Sequence, residues 1–174
     1  DDVTHLSLKE SVFPLEHKNY EMLIYGYGSD GMVSASKDII KITGESTKAF
    51  TQGYFEYDSK KSGGLTRSHL RFGNKPVRSP YYVERPDLVV CTKDGYLTKY
   101  NMLDKLQENG TFLLNTTKTQ EEVLKSITTK DKKILRERNI KFYIVDATSL
   151  ALTLGLGNKI NIIDVDTINI NDEN

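Results

Sequence analysis

Residues 21–44, EMLIYGYGSDGMVSASKDIIKITG, decide the fold that the sequence predicts. A short apolar run at 21–25 leads into a glycine-rich bend at 26–31, and the apolar side chains that follow lie on one helical face before Gly44. This order of strand, tight turn and helix is the usual opening of an α/β sheet.

The rest of the chain alternates between predicted strands and helices. Strands are predicted at 49–58, 68–72, 86–92, 110–116 and 140–146. Helices are predicted at 94–106 with Asp94 as N-cap, at 120–127 after a capping box of Thr119 and Glu122, at 130–139 and at 147–157. Parallel strands need connecting elements of this length, so we expect a Rossmann-like, three-layer α/β domain with a mainly parallel sheet and helices on both faces.

The chain divides into three parts around this pattern. Residues 1–20 form a linker or entry segment, residues 21–157 the domain, and residues 158–174 a tail for which an added edge strand and a disordered end both stay open. A length of 174 residues fits one compact domain. Because the sequence opens at Asp1 without an initiator Met, we expect an excised piece of a larger polypeptide.

The composition excludes several classes of protein. Twenty-four basic and 24 acidic residues balance, so no overall charge attracts nucleic acid or an anionic membrane. A single cysteine forms no internal disulfide and holds no iron–sulfur cluster, and the three scattered histidines show no zinc-ligand spacing. No apolar run approaches the roughly 18 residues of a membrane span. We expect a cytoplasmic protein.

The glycine bend matches the pattern G-x-G-x-x-G between a strand and a helix. Glycines allow close approach of a phosphate, and the start of a helix offers free N–H groups and partial positive charge. Against this, Asp30 adds a negative charge, and the nearest strand-end acids, Glu56 and Asp58, lie further along the chain than an NAD site requires. A site for a phosphate-bearing group, a structural turn and an NAD site all stay open.

A basic segment, residues 59–83, carries a net charge of +6 and contains no acid, whereas the remainder carries −6. Lys60 and Lys61 precede a small-residue turn whose amides can face an oxygen-rich ligand, and Arg67 and Arg71 can add bidentate contacts. The alternative is a solvated loop or an intersubunit salt-bridge strip.

Other residues with reactive side chains are weaker candidates. His69 is expected to be structural or ligand-binding because no acid lies near it in the sequence, and Cys91 to be a buried small hydrophobe. Tyr81 and Tyr82 are expected in the core or an interface. The sequence contains neither a G-x-S-x-G nucleophile motif nor a P-loop, so we predict no catalytic residue and no metal ligand.

Three stretches resemble the gamma-type domain of pyruvate:ferredoxin (flavodoxin) oxidoreductases. They are YGYGSDGMVSASKDIIKITGE (25–45), QGYFEYDSKKSGGLTRSHLRFGNKPVRSPY (52–81) and GTFLLNT (110–116). The opening DDVT resembles the entry to this domain in the fused, single-chain enzymes. After GLGNKIN at 155–161 the sequence departs from the family, which continues into an apolar helix.

The resemblance implies a function for the parent enzyme and a smaller role for this domain. Such enzymes decarboxylate pyruvate on thiamine diphosphate with Mg, pass electrons through 4Fe-4S clusters to ferredoxin or flavodoxin, and transfer the acetyl group to coenzyme A. The resemblance places those cofactors in other domains and implies a homodimeric parent, which would be hydrogenosomal or similar if it came from an anaerobic eukaryote. This domain is expected to be inactive alone and to border the coenzyme A site.

The resemblance also implies which residues face coenzyme A. They are Gly26, Gly28, Ser29, Asp30, Gly31, Lys60, Lys61, Ser62, Gly63, Gly64, Arg67 and Arg71. Two alternatives remain. The basic segment could dock on neighbouring domains without touching a ligand, or the chain could be an independent NAD-binding oxidoreductase.

Overall fold

The structure, a computed structural model, describes residues 19–58 and 64–153, and residues 166–168 as backbone. Seven strands are described: β1 (Tyr20–Tyr27), β2 (Phe50–Tyr57), β3 (Leu65–Gly73), β4 (Leu88–Cys91), β5 (Thr111–Asn115), β6 (Lys141–Val145) and β7 (Asp166–Ile168). Four α-helices accompany them: α1 (Met32–Ser46), α2 (Gln120–Ser126), α3 (Thr129–Glu137) and α4 (Ala147–Thr153).

The strands form one mixed sheet in the order β2-β3-β1-β4-β5-β6-β7. The four strands β1, β4, β5 and β6 are parallel neighbours, whereas β2, β3 and β1 pair antiparallel and β7 pairs antiparallel with β6. The predicted α/β, Rossmann-like class is confirmed, and its parallel part lies in the centre. The strand predicted at 68–72 is too short, because residues 65–73 form a longer strand that returns beside β2 as a hairpin.

Helices cover both faces of the sheet, as expected. On one face, α1 lies so close to β2 that a Cβ added at Gly53 would clash with the Ile40 side chain. On the other face, buried residues of β1, β4, β5 and β6 form one apolar core with those of α2 and α3. The rings of Phe112 and Phe142 stack at its centre, with their centroids 5.0 Å apart. Over the hairpin, this second face becomes polar and charged.

The predicted helix at 94–106 is wrong. Two short 3-10 helices replace it, at Asp94–Tyr96 and Leu103–Lys105. Gly95 has low helix propensity. The Asp94 carboxylate binds the Lys118 ammonium at 2.8 Å, and Asp94 begins only a single 3-10 turn. Leu103 is buried in the core, so tertiary packing outweighs local helix propensity in this segment.

The predicted capping box is confirmed, because Thr119 and Glu122 form both of its hydrogen bonds at the start of α2. Residues 166–168 form an edge strand beside β6, which corresponds to one of the two alternatives left open for the tail. Residues 1–18 and the predicted end of the closing helix after 153 lie outside the described residues. Among the described helices, none combines the length and apolarity that a membrane span requires.

Candidate functional site at the carboxyl ends of the strands

The glycine bend, residues 26–31, joins β1 to α1 where the parallel strands end. Gly31 has φ of 80°, in the left-handed region that favours glycine, and stands at the N-cap of α1. A Cβ at Gly26 would come within 2.8 Å of Thr66 Oγ1 and 3.2 Å of Met32 Cβ. These two glycines therefore allow the tight turn and the close approach of α1 to the sheet.

The carboxylate of Asp30 lies inside the bend and accepts three hydrogen bonds. The backbone N–H of Tyr27 donates to Oδ2 at 2.6 Å, that of Met32 donates to Oδ1 at 2.9 Å, and the Thr92 hydroxyl donates to Oδ2 at 2.7 Å. Asp30 is only 6% exposed. Because the Met32 N–H is one of the donors that a helix start offers to phosphate, Asp30 itself acts as the anion of this turn.

The exposed side of the bend touches the basic segment. Gly28, Ser29 and Gly31 are exposed, whereas Gly26 is buried. The N–H of Gly28 donates to the carbonyl of Gly64 at 3.0 Å. The structure therefore brings together two of the sequence stretches that we predicted to share a ligand.

Part of the predicted site lies outside the described residues. This applies to Lys60, Lys61, Ser62 and Gly63. The residues on either side are described. Asp58 N–H donates to the Leu65 carbonyl at 2.9 Å, and Gly64 bonds to Gly28. Both neighbours of residues 59–63 are thus held beside the bend.

Arg67 lines an open cleft of about 470 Å³ next to this contact. The other lining residues are Glu56, Tyr57, Asp58, Leu65 and Tyr100. The Arg67 guanidinium lies 3.3 Å from the Glu56 carboxylate, and its side chain keeps 35% exposure. Arg67 is therefore oriented by Glu56 and still accessible from the cleft.

Arg71, in contrast, lies away from the bend and the cleft. It pairs with Glu21 at the start of β1, about 17 Å along the strand from Gly26 at the usual rise per residue. Its Nε donates to the Glu21 carboxylate at 2.6 Å, the Tyr81 ring covers the guanidinium at 4.8 Å, and the side chain is 1% exposed. The predicted ligand contact of Arg71 is therefore corrected to a buried structural ion pair.

His69 occupies the same face of β3, between the two arginines. Its Nδ1 accepts a hydrogen bond from the Val83 backbone N–H at 3.1 Å, and its Nε2 lies 3.5 Å from the Glu56 carboxylate. The Tyr82 ring stacks on the imidazole. The sequence did not reveal Glu56 as the partner of His69, because the acid lies 13 positions away on the neighbouring strand β2. His69 is a buried structural residue that fixes residues 81–83 across the hairpin.

We expect stability to fall at low pH because of His69. Burial lowers the pKa of this imidazole below 6.5, although the Glu56 hydrogen bond opposes the shift. The unfolded chain therefore takes up the proton first. The stabilising contribution of neutral His69 is complete above pH 6.5 and is lost as pH falls through the lower folded pKa. Between the two pKa values the free energy of unfolding falls by at most about 1.4 kcal/mol per pH unit.

Urea unfolding of the wild type and of His69→Asn at about pH 5 to 8, a window that spans the ordinary pKa of histidine, would measure this effect. Asn keeps an acceptor near the Val83 N–H and does not titrate. The histidines at 5 and 17 remain in both proteins, so the difference between the two curves isolates His69. Parallel curves would contradict the prediction.

Sequence reasoning missed a second group of residues that follow β4 and β5. Thr92 binds Asp30, and the Lys93 ammonium lies 3.5 Å from the centroid of the Tyr27 ring. Asp94 pairs with Lys118, and this hydrogen bond lowers the pKa of the Asp94 carboxyl. Their position at or just after the ends of the strands predicted at 86–92 and 110–116 was the available signal. Carboxyl ends of parallel strands meet at one edge, and the crevice where strand order reverses, here between β1 and β4, commonly binds ligands.

The strand order differs from that of a dinucleotide-binding unit. There, the strand after the first helix lies beside the first strand and places its terminal acid on the ribose. Here β3 lies between β1 and β2, and Glu56 near the end of β2 is engaged by Arg67 and His69. The geometry does not favour the NAD alternative.

Metal and thiol chemistry find little support in the described parts of the chain. Within residues 19–58, 64–153 and 166–168, no three His, Cys, Asp or Glu side chains are grouped as a metal site requires. The Cys91 thiol is buried, and burial raises its pKa to about 12. Its Sγ donates to the Lys93 carbonyl, so Cys91 is the small buried residue that the sequence predicts.

Comparison with known proteins identifies the family. The family model described as "Pyruvate ferredoxin/flavodoxin oxidoreductase" matches residues 21–165. The chain belongs to this oxidoreductase family. The pyruvate:ferredoxin oxidoreductase of Moorella thermoacetica is 44% identical over 165 residues, which are 94% of this chain and 14% of that protein. The chain thus spans about a seventh of the length of this relative, and a seventh or less of the other curated relatives that it matches.

Solved structures of oxidoreductase subunits show the same fold. The pyruvate oxidoreductase subunit PORC of Thermotoga maritima is 28% identical, with a TM-score of 0.64 over 83% of this chain and 71% of the subunit. A 2-oxoglutarate:ferredoxin oxidoreductase of Magnetococcus marinus, solved with 2-oxoglutarate, coenzyme A and succinyl-CoA, gives a TM-score of 0.58. It is 12% identical over 83% of this chain and 22% of that protein, which is a likeness of fold alone.

Proposed function

We propose that this chain is a domain of a pyruvate:ferredoxin (flavodoxin) oxidoreductase and that it helps to bind coenzyme A. The parent enzyme would oxidise pyruvate to acetyl-CoA and carbon dioxide, with thiamine diphosphate, Mg and 4Fe-4S clusters held by its other domains and ferredoxin or flavodoxin accepting the electrons. The described residues contain no group of ligands for a cluster. In this proposal the domain binds and orients coenzyme A and has no activity alone.

One observation carries the coenzyme A role. The hydrogen bond between Gly28 and Gly64 joins the exposed side of the bend to the segment that contains Lys60 and Lys61. Arg67 opens into the cleft beside this contact. Coenzyme A carries a pyrophosphate and a 3′-phosphate, and flexible lysines and a guanidinium are the side chains that recognise phosphate in proteins.

The structure restricts how the bend can take part. Asp30 already accepts the N–H groups of Tyr27 and Met32, so a phosphate would contact the exposed residues at 28–31 and the cations, not the centre of the turn. Glu56 and Asp58 also line the cleft and would repel a phosphate placed deep within it. We therefore place the phosphates at the rim, where Arg67 and the two lysines can meet them.

We expect Lys60→Ala/Lys61→Ala in the full-length enzyme to raise the coenzyme A concentration for half-maximal activity by about tenfold or more, because charge-assisted hydrogen bonds contribute about 1.5–3 kcal/mol each. Reduction of the enzyme by pyruvate without coenzyme A should not change. Steady-state kinetics measures the coenzyme A requirement, and rapid-mixing spectroscopy measures the reduction of the enzyme by pyruvate. The charge-matched control is Lys41→Ala/Lys48→Ala, two exposed lysines near the far end of α1.

The result also separates coenzyme A binding from a purely structural role. The burial of Arg71 in an ion pair favours the structural alternative for part of the basic segment. If the lysine variant keeps its coenzyme A dependence but loses assembly in a salt-sensitive way, the segment docks on neighbouring domains and the coenzyme A role is wrong.

A further inference from the structure

The strand β2 lies at one edge of the described sheet and is incompletely covered. None of its eight residues is buried, whereas seven of the nine residues of the neighbouring β3 are. Phe50, Tyr54 and Tyr57 are 46%, 51% and 59% exposed. Phe50 and Tyr54 lie on one face of the strand and Tyr57 lies on the other, and the Tyr82 ring packs edge-on against Tyr54 at 5.3 Å.

The pairing with β3 shows which amides of β2 point outward. Asp58 donates its N–H to Leu65, so residue 58 forms a hydrogen-bonded pair with β3. Antiparallel partners alternate between hydrogen-bonded and non-hydrogen-bonded pairs, and the register of β2 and β3 is unbroken. The N–H groups that point to the outer edge are therefore those of Thr51, Gly53, Phe55 and Tyr57.

The sequence of β2, FTQGYFEY, lacks the features that usually protect an edge strand from pairing. It contains no proline, no lysine and no arginine, and its single acid, Glu56, turns inward to Arg67 and His69. Natural sheets block their free edges with charges, prolines or bulges, because an unpaired edge is a template for another strand. A long aromatic edge without such protection indicates that another strand covers it.

We propose that a β-strand from the remainder of the same polypeptide, outside these 174 residues, pairs with the outer edge of β2. This proposal rests on the proposed function for the identity of that remainder. The matched oxidoreductases are about seven or more times as long as this chain, and a covalently linked segment has a far higher effective concentration than a second copy. The added strand would place apolar side chains against Phe50 and Tyr54.

Hydrogen exchange of the full-length enzyme, read at single amides, tests this pairing. The amides of residues 51, 53, 55 and 57 should exchange at least about 100-fold more slowly than unstructured amides, as in a paired ladder. The inward amides of residues 52, 54 and 56 serve as the internal reference, because β3 already protects them. Exchange at the outward amides near unstructured rates, with the inward ones protected, would overturn the proposal.

A photoreactive phenylalanine analogue at Phe50 identifies the covering strand. This residue lies at the end of β2 opposite Tyr57 and the cleft, so its replacement leaves the proposed coenzyme A contacts in place. Crosslinks from Phe50 to peptides outside these 174 residues support the proposal. Crosslinks confined to these 174 residues contradict it. Mixed isotope labels distinguish crosslinks within one chain from crosslinks to a second copy.

The two proposals fail in different ways. Protected outward amides combined with an unchanged coenzyme A requirement of the lysine variant would reject the ligand role and keep the strand pairing. Unprotected amides combined with the expected kinetic change would do the opposite.

Discussion

Replacing Asp30 with Ala is expected to lower the free energy of unfolding by about 3–5 kcal/mol. The carboxylate accepts hydrogen bonds from two backbone N–H groups and from Thr92, and it is almost fully buried. Removing it leaves these three donors, one of them at the first residue of α1, without an acceptor. Urea unfolding followed by far-ultraviolet circular dichroism measures the loss, since the chain has no tryptophan.

Asp30→Asn is the matched control for shape. Its carbonyl can still accept from Met32, but its NH₂ group would face the donors that now meet Oδ2, so we expect an intermediate loss. Inorganic phosphate should partly restore Asp30→Ala, because an anion can occupy the vacated donors and stabilise the folded state by mass action. A loss below about 1 kcal/mol in Asp30→Ala would show that the carboxylate is not the anion of this bend.

The local elements of this fold could be predicted because their determinants are close in sequence. The glycine bend between an apolar strand and an amphipathic helix, and the Thr119 capping box, each depend on residues within a few positions of one another. The helix predicted at 94–106 failed for the opposite reason. Lys118, distant in sequence, binds Asp94, and the core takes up Leu103. Tertiary contacts of this kind outweigh helix propensity.

The candidate site could be predicted only in part, since strand pairing decides which cations stay accessible. Arg67, His69 and Arg71 alternate along one strand and therefore share a face of the sheet. Glu56 lies beside the first two, and Glu21 and Tyr81 bury the third. These partners come from other elements, so charge in the sequence did not distinguish a cleft residue from a buried one.

Replacing Arg71 with Met is expected to cost about 3–5 kcal/mol of stability, the range for removing one member of a buried ion pair. The Arg71 side chain is 1% exposed, its Nε binds Glu21 at 2.6 Å, and its guanidinium stacks on Tyr81. Met fills much of the same volume but leaves the Glu21 carboxylate, itself only 19% exposed, without its cation. Urea unfolding of the single variant gives the loss directly.

A double-mutant cycle distinguishes lost charge pairing from lost packing. In Glu21→Gln/Arg71→Met neither charge remains, so the double variant should regain stability to within about 1 kcal/mol of the wild type. Arg67→Met is the control from the same face of β3, and its loss should stay below about 1 kcal/mol because the Arg67 side chain is 35% exposed. A double variant that loses as much stability as Glu21→Gln and Arg71→Met lose together would contradict the ion-pair explanation. Arg71 would then stabilise the hairpin mainly through its contact with the ring of Tyr81.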